Sequence, residues 1–202
     1  MNVFVLNTGR CGSTTFIKAC AHITNFSAGH ETRSHLLGAE HMAYPEGHIE
    51  ADNRLTWFLG RLDESFGDKA YYVHLTRDDR TTAESFTKRF DRGIIKAYRD
   101  AMLLHYADDR EPMEVALDYC NTVNSNIRQY LKDKSQRMDF HLESAEEDFR
   151  KFWNWIGAEG DLDAALAEWR VPHNATKAPA PPPPPPPPPP SLAQRIKRRL
   201  LP

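Results

Sequence analysis

Residues 3–14 read VFVLNTGRCGST. Val3, Phe4, Val5 and Leu6 form an unbroken apolar run, the pattern of a strand covered on both faces of a parallel sheet. A loop with Gly9 and Gly12 follows, and a helix is expected over 15–21. Glycines let the backbone come close to a ligand. Successive amide N–H groups and the helix N-terminus then point at negative charge. Ser13 and Thr14 add hydroxyl donors, and Arg10 adds a cationic fork. The stretch reads as a cradle for a phosphate or sulfate group in an α/β fold. It lacks the Gly-Lys-Ser/Thr of the nucleoside-triphosphatase loop, so ATP hydrolysis is not expected. The competing expectation is an ordinary tight turn between strand and helix.

Further along, residues 72–85 read YVHLTRDDRTTAES. A strand is expected over 70–75, with Arg77 at its C-terminal end and Ser85 eight residues later on the following helix. Thr81 with Glu84 fits a capping box that opens this helix, whose apolar face is Ala83, Phe86 and Phe90. Ligands of a parallel α/β sheet gather at the carboxyl ends of its strands. Arg77 and Ser85 are therefore placed to grip a second anion, one by charge and one by hydroxyl. Pairing of Arg77 with Asp78 or Asp79 at the surface is the alternative, and the direction of Arg80 is open.

The remaining pattern alternates strand and helix. A helix over 53–66 would bury Leu55, Phe58, Leu59, Leu62 and Phe66 and stop at Gly67. Helices are expected at about 94–107 and 113–132, the second with Met113, Leu117, Cys120, Ile127 and Leu131 on one stripe. A strand over 138–142 leads to Ser144 and Glu147, a second capping box, before a helix carrying Phe149, Phe152, Trp153 and Ile156. A last helix holds Leu162, Leu166 and Trp169. This order predicts a parallel sheet with helices on both faces.

Composition bounds the function. The chain has 202 residues, enough for one compact domain and at most a small one beside it. Its mean hydropathy of -0.63 and the lack of a long apolar run exclude a transmembrane protein. A formal net charge of -2 argues against nucleic-acid binding, which usually carries a basic excess. Three cysteines make no disulfide framework, so a reducing, cytoplasmic setting is expected. The opening residues show no basic region before an apolar stretch, and no secretory signal is expected.

Ten of the fifteen prolines form one block. The expected organisation is an α/β domain over 1–177, a polyproline linker over 178–190 and a basic tail over 191–202. The linker should be an extended rod of about 3.1 Å per residue, roughly 30 Å for the ten prolines. Leu192, Ile196 and Leu200 would give a helical tail one apolar edge among Arg195, Lys197, Arg198 and Arg199. That composition is suited to peripheral contact with an anionic membrane. A solvated basic end is the plainer reading.

Arg10-Cys11-Gly12-Ser13-Thr14 resembles the loop [K/R]-S-G-[S/T]-[S/T] of the sulfotransferase family, with Cys11 in place of the usual serine. That family uses 3′-phosphoadenosine 5′-phosphosulfate (PAPS) as donor. It also has a strand ending in R-D-P with a serine eight residues after the arginine. Arg77, Asp78 and Ser85 match this, while Asp79 departs from the proline. A weaker echo is Phe140-His141-Leu142-Glu143, followed by an acidic helix ending in Trp155-Ile156-Gly157. The resemblance runs with gaps over residues 2–157. It implies a three-layer P-loop-like fold, with a central parallel sheet flanked by helices. The 5′-phosphosulfate would lie against Gly9, Arg10, Cys11, Gly12, Ser13 and Thr14, and the 3′-phosphate against Arg77 and Ser85. The family often stacks adenine on an aromatic just after the loop. Thr15 stands there, which leaves Trp57 as a substitute. A late loop that often completes the 3′-phosphate site has only 173–177 as its counterpart, and the sequon at Asn174 is read as chance.

Sulfuryl transfer needs a base for the acceptor hydroxyl and a cation for the leaving phosphate. Arg10 matches the family's cation. His30, Glu31, His35, His41 and His48 are candidate bases. A short strand over 27–31 would bring His30 and Glu31 to the ligand edge, so Glu31 is expected first and His30 second. Pairing of Glu31 with Arg33 is the plainer alternative. No ligand spacing for a metal appears, and none is expected. Cys11 has no evident base to make it a nucleophile. The resemblance thus implies sulfuryl transfer from PAPS to a hydroxyl acceptor, such as a glycan or glycolipid. The alternative is a non-catalytic nucleotide-binding module whose tail docks to a membrane or partner.

Overall fold

A computed structural model describes residues 1–105, 109–171 and 173. The expected linker over 178–190, the tail over 191–202 and the late loop after His173 lie outside the described residues.

The apolar run at the start becomes β1 (Val3–Asn7), and all five of its residues are buried. Its partners are β2 (Ser27–His30), β3 (His48–Ala51), β4 (Tyr71–Thr76) and β5 (Arg137–His141). They form one sheet in the order β2-β3-β1-β4-β5. Every pairing is parallel, and Val5 lies opposite Ala51 on one side and Val73 on the other. Successive residues of a strand point to opposite faces, so β1 feeds two cores. Val3 and Val5 join Phe16, Phe149 and Phe152. Phe4 and Leu6 join Leu62, Tyr72, Phe86 and Tyr119. The first core is closed by α1 (Ser13–Cys20), α6 (Ala145–Ile156) and α7 (Leu162–Ala167). The second is closed by α2 (Leu59–Phe66), α3 (Asp79–Thr87), α4 (Gly93–Ala97) and α5 (Pro112–Leu131). The predicted α/β architecture, a parallel sheet with helices on both faces, is the observed one. No helix among the described residues is long and apolar enough to cross a membrane.

Local expectations fail in several places. β3 carries no apolar run, because His48 and Glu50 alternate with Ile49 and Ala51 and are buried all the same. The helix expected over 53–66 is split. Asp52 caps a 3-10 turn over Asn53–Trp57 by accepting from the Arg54 amide, and Phe58, outside helical geometry, separates that turn from α2. Neither capping box forms. Asp78 caps α3 instead, accepting from both the amide (2.8 Å) and the hydroxyl (2.7 Å) of Thr81. The helix starts earlier than the Thr81–Glu84 pair implies, so Asp78 holds the N-cap and Thr81 lies inside the first turn. Ser144 Oγ turns to Asp148 Oδ2 at 2.9 Å and does not cap α6. The helix expected over 94–107 ends sooner, as α4 runs into a π turn over Tyr98–Met102 and Leu104 and His105 take positive φ.

Candidate functional site

The loop after β1 is a backbone nest. Gly9, Arg10 and Gly12 have φ of 81°, 61° and 96°. For Arg10 this left-handed conformation costs roughly 1–2 kcal/mol, so the surroundings must hold it. Asn7 does so from within the strand, accepting from the Gly9 amide at 2.8 Å and the Cys11 thiol at 3.6 Å. Tyr119 donates its hydroxyl to the Thr8 carbonyl at 2.7 Å from the far side of the core. Space is as tight as conformation. A Cβ on Gly9 would lie 2.6 Å from Asn53 Nδ2, and one on Gly12 would lie 2.7 Å from Leu142 Cδ1. Gly12 is also the N-cap of α1 and brings no side-chain cap. The first-turn amides of α1 therefore receive no side-chain cap from Gly12.

The second segment meets the first. Arg77, just past β4, donates from a terminal nitrogen to the Arg10 carbonyl at 3.4 Å. Ser85 on α3 accepts from Arg10 Nε at 2.9 Å. Arg77 is thus not spent on its acidic neighbours. Asp78 caps its helix, and Asp79 accepts from Asn124 Nδ2 at 3.0 Å. Arg80 is exposed and lies 3.6 Å from Glu84 on the outer face of α3.

A cavity of about 930 Å³ opens over this junction. Gly9, Arg10, Gly12, Ser13 and Thr14 form its floor, and Arg77, His30 and Glu31 reach its wall. Ser85 stands behind Arg10 and does not line it. Cys11 is fully buried and turned inward, and burial pushes its thiol up to about 11. It offers the site its main chain and no nucleophile. Burial and three like charges, Arg89, Arg77 and Arg92 in that order, lower the Arg10 guanidinium from its usual range.

His30 and Glu31 come together as expected. The His30 Nε2 atom lies 3.0 Å from Ser13 Oγ in the loop. Glu31 follows β2 with φ of 54°, and its amide donates to the Ala51 carbonyl at 3.1 Å. Its carboxylate pairs with Arg54 at 2.6 Å and not with Arg33, which donates to the Glu40 carbonyl. Asp52 beside it is fully buried, and that burial is the main reason its carboxyl rises to about 6. The other candidate bases lie elsewhere. His35 is exposed, His41 packs on Phe58 and His48 pairs with Glu50. Among the described residues no group of three or more side chains is arranged to hold a metal.

Among the cavity residues that escaped the sequence reading are Asn53, Arg89, Arg92 and Trp169. Three of them present a buried polar atom without a hydrogen-bond partner, namely Asn53 Oδ1, Arg89 Nε and Trp169 Nε1. Arg89 and Arg92 lie past the end of α3, in the turn that leads to α4, so no helical spacing marks them in the sequence. Trp57, the expected adenine partner, packs on Tyr98 instead and is not at the cavity. Trp169 is there, braced against Phe140 and Phe16. Compared with known proteins, the chain matches no family model and no curated protein.

Proposed function

We propose that this protein is a PAPS-dependent sulfotransferase with a P-loop-like α/β fold. One observation carries the reading. Two anion-gripping segments far apart in sequence are joined by the Arg10–Ser85 hydrogen bond at the edge of a single cavity. A donor with a 5′-phosphosulfate and a 3′-phosphate carries roughly four negative charges at neutral pH. Arg10, Arg77, Arg89 and Arg92 supply four cations at that cavity. Trp169 and Leu142 provide an apolar wall for the adenine, and stacking on an aromatic ring is worth about 1–3 kcal/mol.

In this reading the acceptor hydroxyl enters on the His30–Glu31 side. Glu31, or His30 as the second choice, takes its proton. The acceptor oxygen attacks sulfur in line and forms the new S–O bond. The bond from sulfur to the bridging oxygen breaks, and its electrons remain on the leaving adenosine 3′,5′-bisphosphate. Arg10 and the loop amides neutralise that charge. The acceptor class follows the resemblance, a glycan or glycolipid hydroxyl.

The test is calorimetric titration with adenosine 3′,5′-bisphosphate and with AMP, followed by transfer from labelled PAPS to a panel of hydroxyl acceptors. Tight, chelator-insensitive binding of the bisphosphate together with labelled product supports the proposal. Equal affinity for both nucleotides removes the donor assignment. Binding without transfer to any acceptor leaves a nucleotide-binding module.

A further inference from the structure

The polar side of β3 has no role in either core. Ile49 and Ala51 feed the core under α1 and α6, while His48, Glu50 and Asp52 point the other way and are all buried. A buried carboxylate is expensive, and an apolar side chain there would be the stabler choice unless the charge has work to do. Glu50 is fully buried, and each of its oxygens is used. Its Oε1 accepts from the Thr32 amide at 2.7 Å, and its Oε2 accepts from the Thr32 hydroxyl at 2.7 Å. The same Oε2 lies 2.9 Å from His48 Nε2, and His48 Nδ1 lies 2.8 Å from Ser27 Oγ. A carboxylate oxygen accepts, so His48 Nε2 donates to Glu50, and the other ring nitrogen is held by Ser27. Room for this arrangement depends on Gly29, where a Cβ would collide with Thr32 Cγ2 and come within 3.0 Å of Glu50 Oε2.

What the carboxylate holds is the residue next to Glu31. Glu31 sits in the left-handed region at φ 54°, where a non-glycine residue does not stay unaided. Ser34 Oγ donates to its carbonyl at 3.1 Å, and Glu50 fixes Thr32 on the following peptide. The second acid on that side, Asp52 just past β3, works on the side chain. Asp52 accepts from the Arg54 amide at 2.7 Å, and the Arg54 guanidinium meets the Glu31 carboxylate at 2.6 Å.

We propose that Glu50 is a positioning residue for Glu31: bound to both polar atoms of Thr32, it locks the strained turn that presents the Glu31 carboxylate to the cavity. The catalytic half of this inference rests on the sulfotransferase reading, and the positional half does not.

Two readouts on the full chain separate the halves. In Glu50→Gln, the amides of 31–34 should exchange with deuterium at least tenfold faster, while those of β1 and β4 keep their protection. With PAPS and an acceptor, kcat should fall at least tenfold, with bisphosphate affinity and donor KM within twofold of wild type. Thr32→Val removes one of the two contacts without touching the buried acid and should show the same pattern more weakly. Thr32→Ser should restore both readouts, and this pair decides the matter if Glu50→Gln fails to fold. Unchanged exchange and unchanged kcat in a folded variant overturn the proposal. Loss of bisphosphate affinity in parallel with kcat also overturns it, because that is a general structural defect. Faster exchange in the variant, with no transfer by the wild-type chain, leaves the lock standing and removes the sulfotransferase reading.

Discussion

Arg10 Nε donates to Ser85 Oγ at 2.9 Å, tying the loop after β1 to the helix after β4 across 75 positions of sequence. Burial first, and then the like charges of Arg89 and Arg77, disfavour the Arg10 guanidinium where this bond holds it. Arg77, Arg89 and Arg92 line the same cavity as Arg10, so four cations are gathered in one place.

Arg77→Ala should therefore weaken the preference for adenosine 3′,5′-bisphosphate over AMP, because Arg77 lines the cavity. A charge-assisted hydrogen bond contributes about 1.5–3 kcal/mol, so the ratio of affinities should fall about tenfold or more. Ser85→Ala, which reaches the cavity only through Arg10, should lower it less. Paired calorimetric titrations with the two nucleotides measure both. An unchanged ratio in each variant would show that the second phosphate binds elsewhere.

Gly12→Ala should damage the loop twice. Alanine at φ 96° is strained, and its Cβ meets Leu142. The backbone part alone costs roughly 1–2 kcal/mol, which for a domain of this size lowers Tm by several degrees. Bisphosphate affinity should fall with it. Thermal unfolding with and without the nucleotide is the measurement, and a variant as stable and as tightly bound as wild type contradicts the nest.

Glu31→Gln should reduce turnover by about 10²–10⁴ while leaving nucleotide affinity near wild type, because the base acts on the acceptor and not on the donor. His30→Ala is the control. If it, and not Glu31→Gln, abolishes transfer, the imidazole beside Ser13 is the base. If both variants remain active, the proton leaves by another route.

Asp52 makes the fold pH-sensitive. Burial raises its carboxyl from 3.8 to about 6. The folded chain therefore holds this proton more tightly than the unfolded chain does. The stabilising contribution is fully present below about pH 4 and is lost as pH rises through about 6. Asp52→Asn keeps the Oδ1 acceptor for the Arg54 amide and removes the buried charge. It should be more stable than wild type at pH 7.5, by on the order of 2–3 kcal/mol, and nearly equal to it at pH 4. Urea unfolding at the two pH values checks this, and a gain that is the same at both would assign the effect to something other than ionisation.

Deleting residues 178–202 should leave bisphosphate binding intact, since the cavity's described lining ends at His173. It should reduce salt-sensitive association with anionic vesicles, to which each Lys or Arg near the surface contributes about 1 kcal/mol. Equal co-sedimentation of the full and shortened chains would end the membrane reading.

How much of this was legible in the sequence depends on the range of the forces involved. The Val3–Leu6 run and the glycines at 9 and 12 report local matters, namely burial on two faces and backbone conformation, and both are written in neighbouring residues. The strand over 70–75 with Arg77 and Ser85 is likewise one strand, one turn and one helix. So the parallel α/β sheet, the glycine loop after β1 and the meeting of His30 with Glu31 at a strand end could be read directly. β3 could not. Its His48 and Glu50 look like surface residues, and only Ser27 and Thr32 from the adjoining strand and turn make their burial tolerable. The direction of Arg10 toward Ser85, the choice of Trp169 over Trp57 at the cavity and the pairing of Glu31 with Arg54 were also undecided. A side chain's periodicity tells which face it leaves from. Where its polar end comes to rest is set by partners that the fold brings from distant parts of the chain, and those exist only once the sheet has closed.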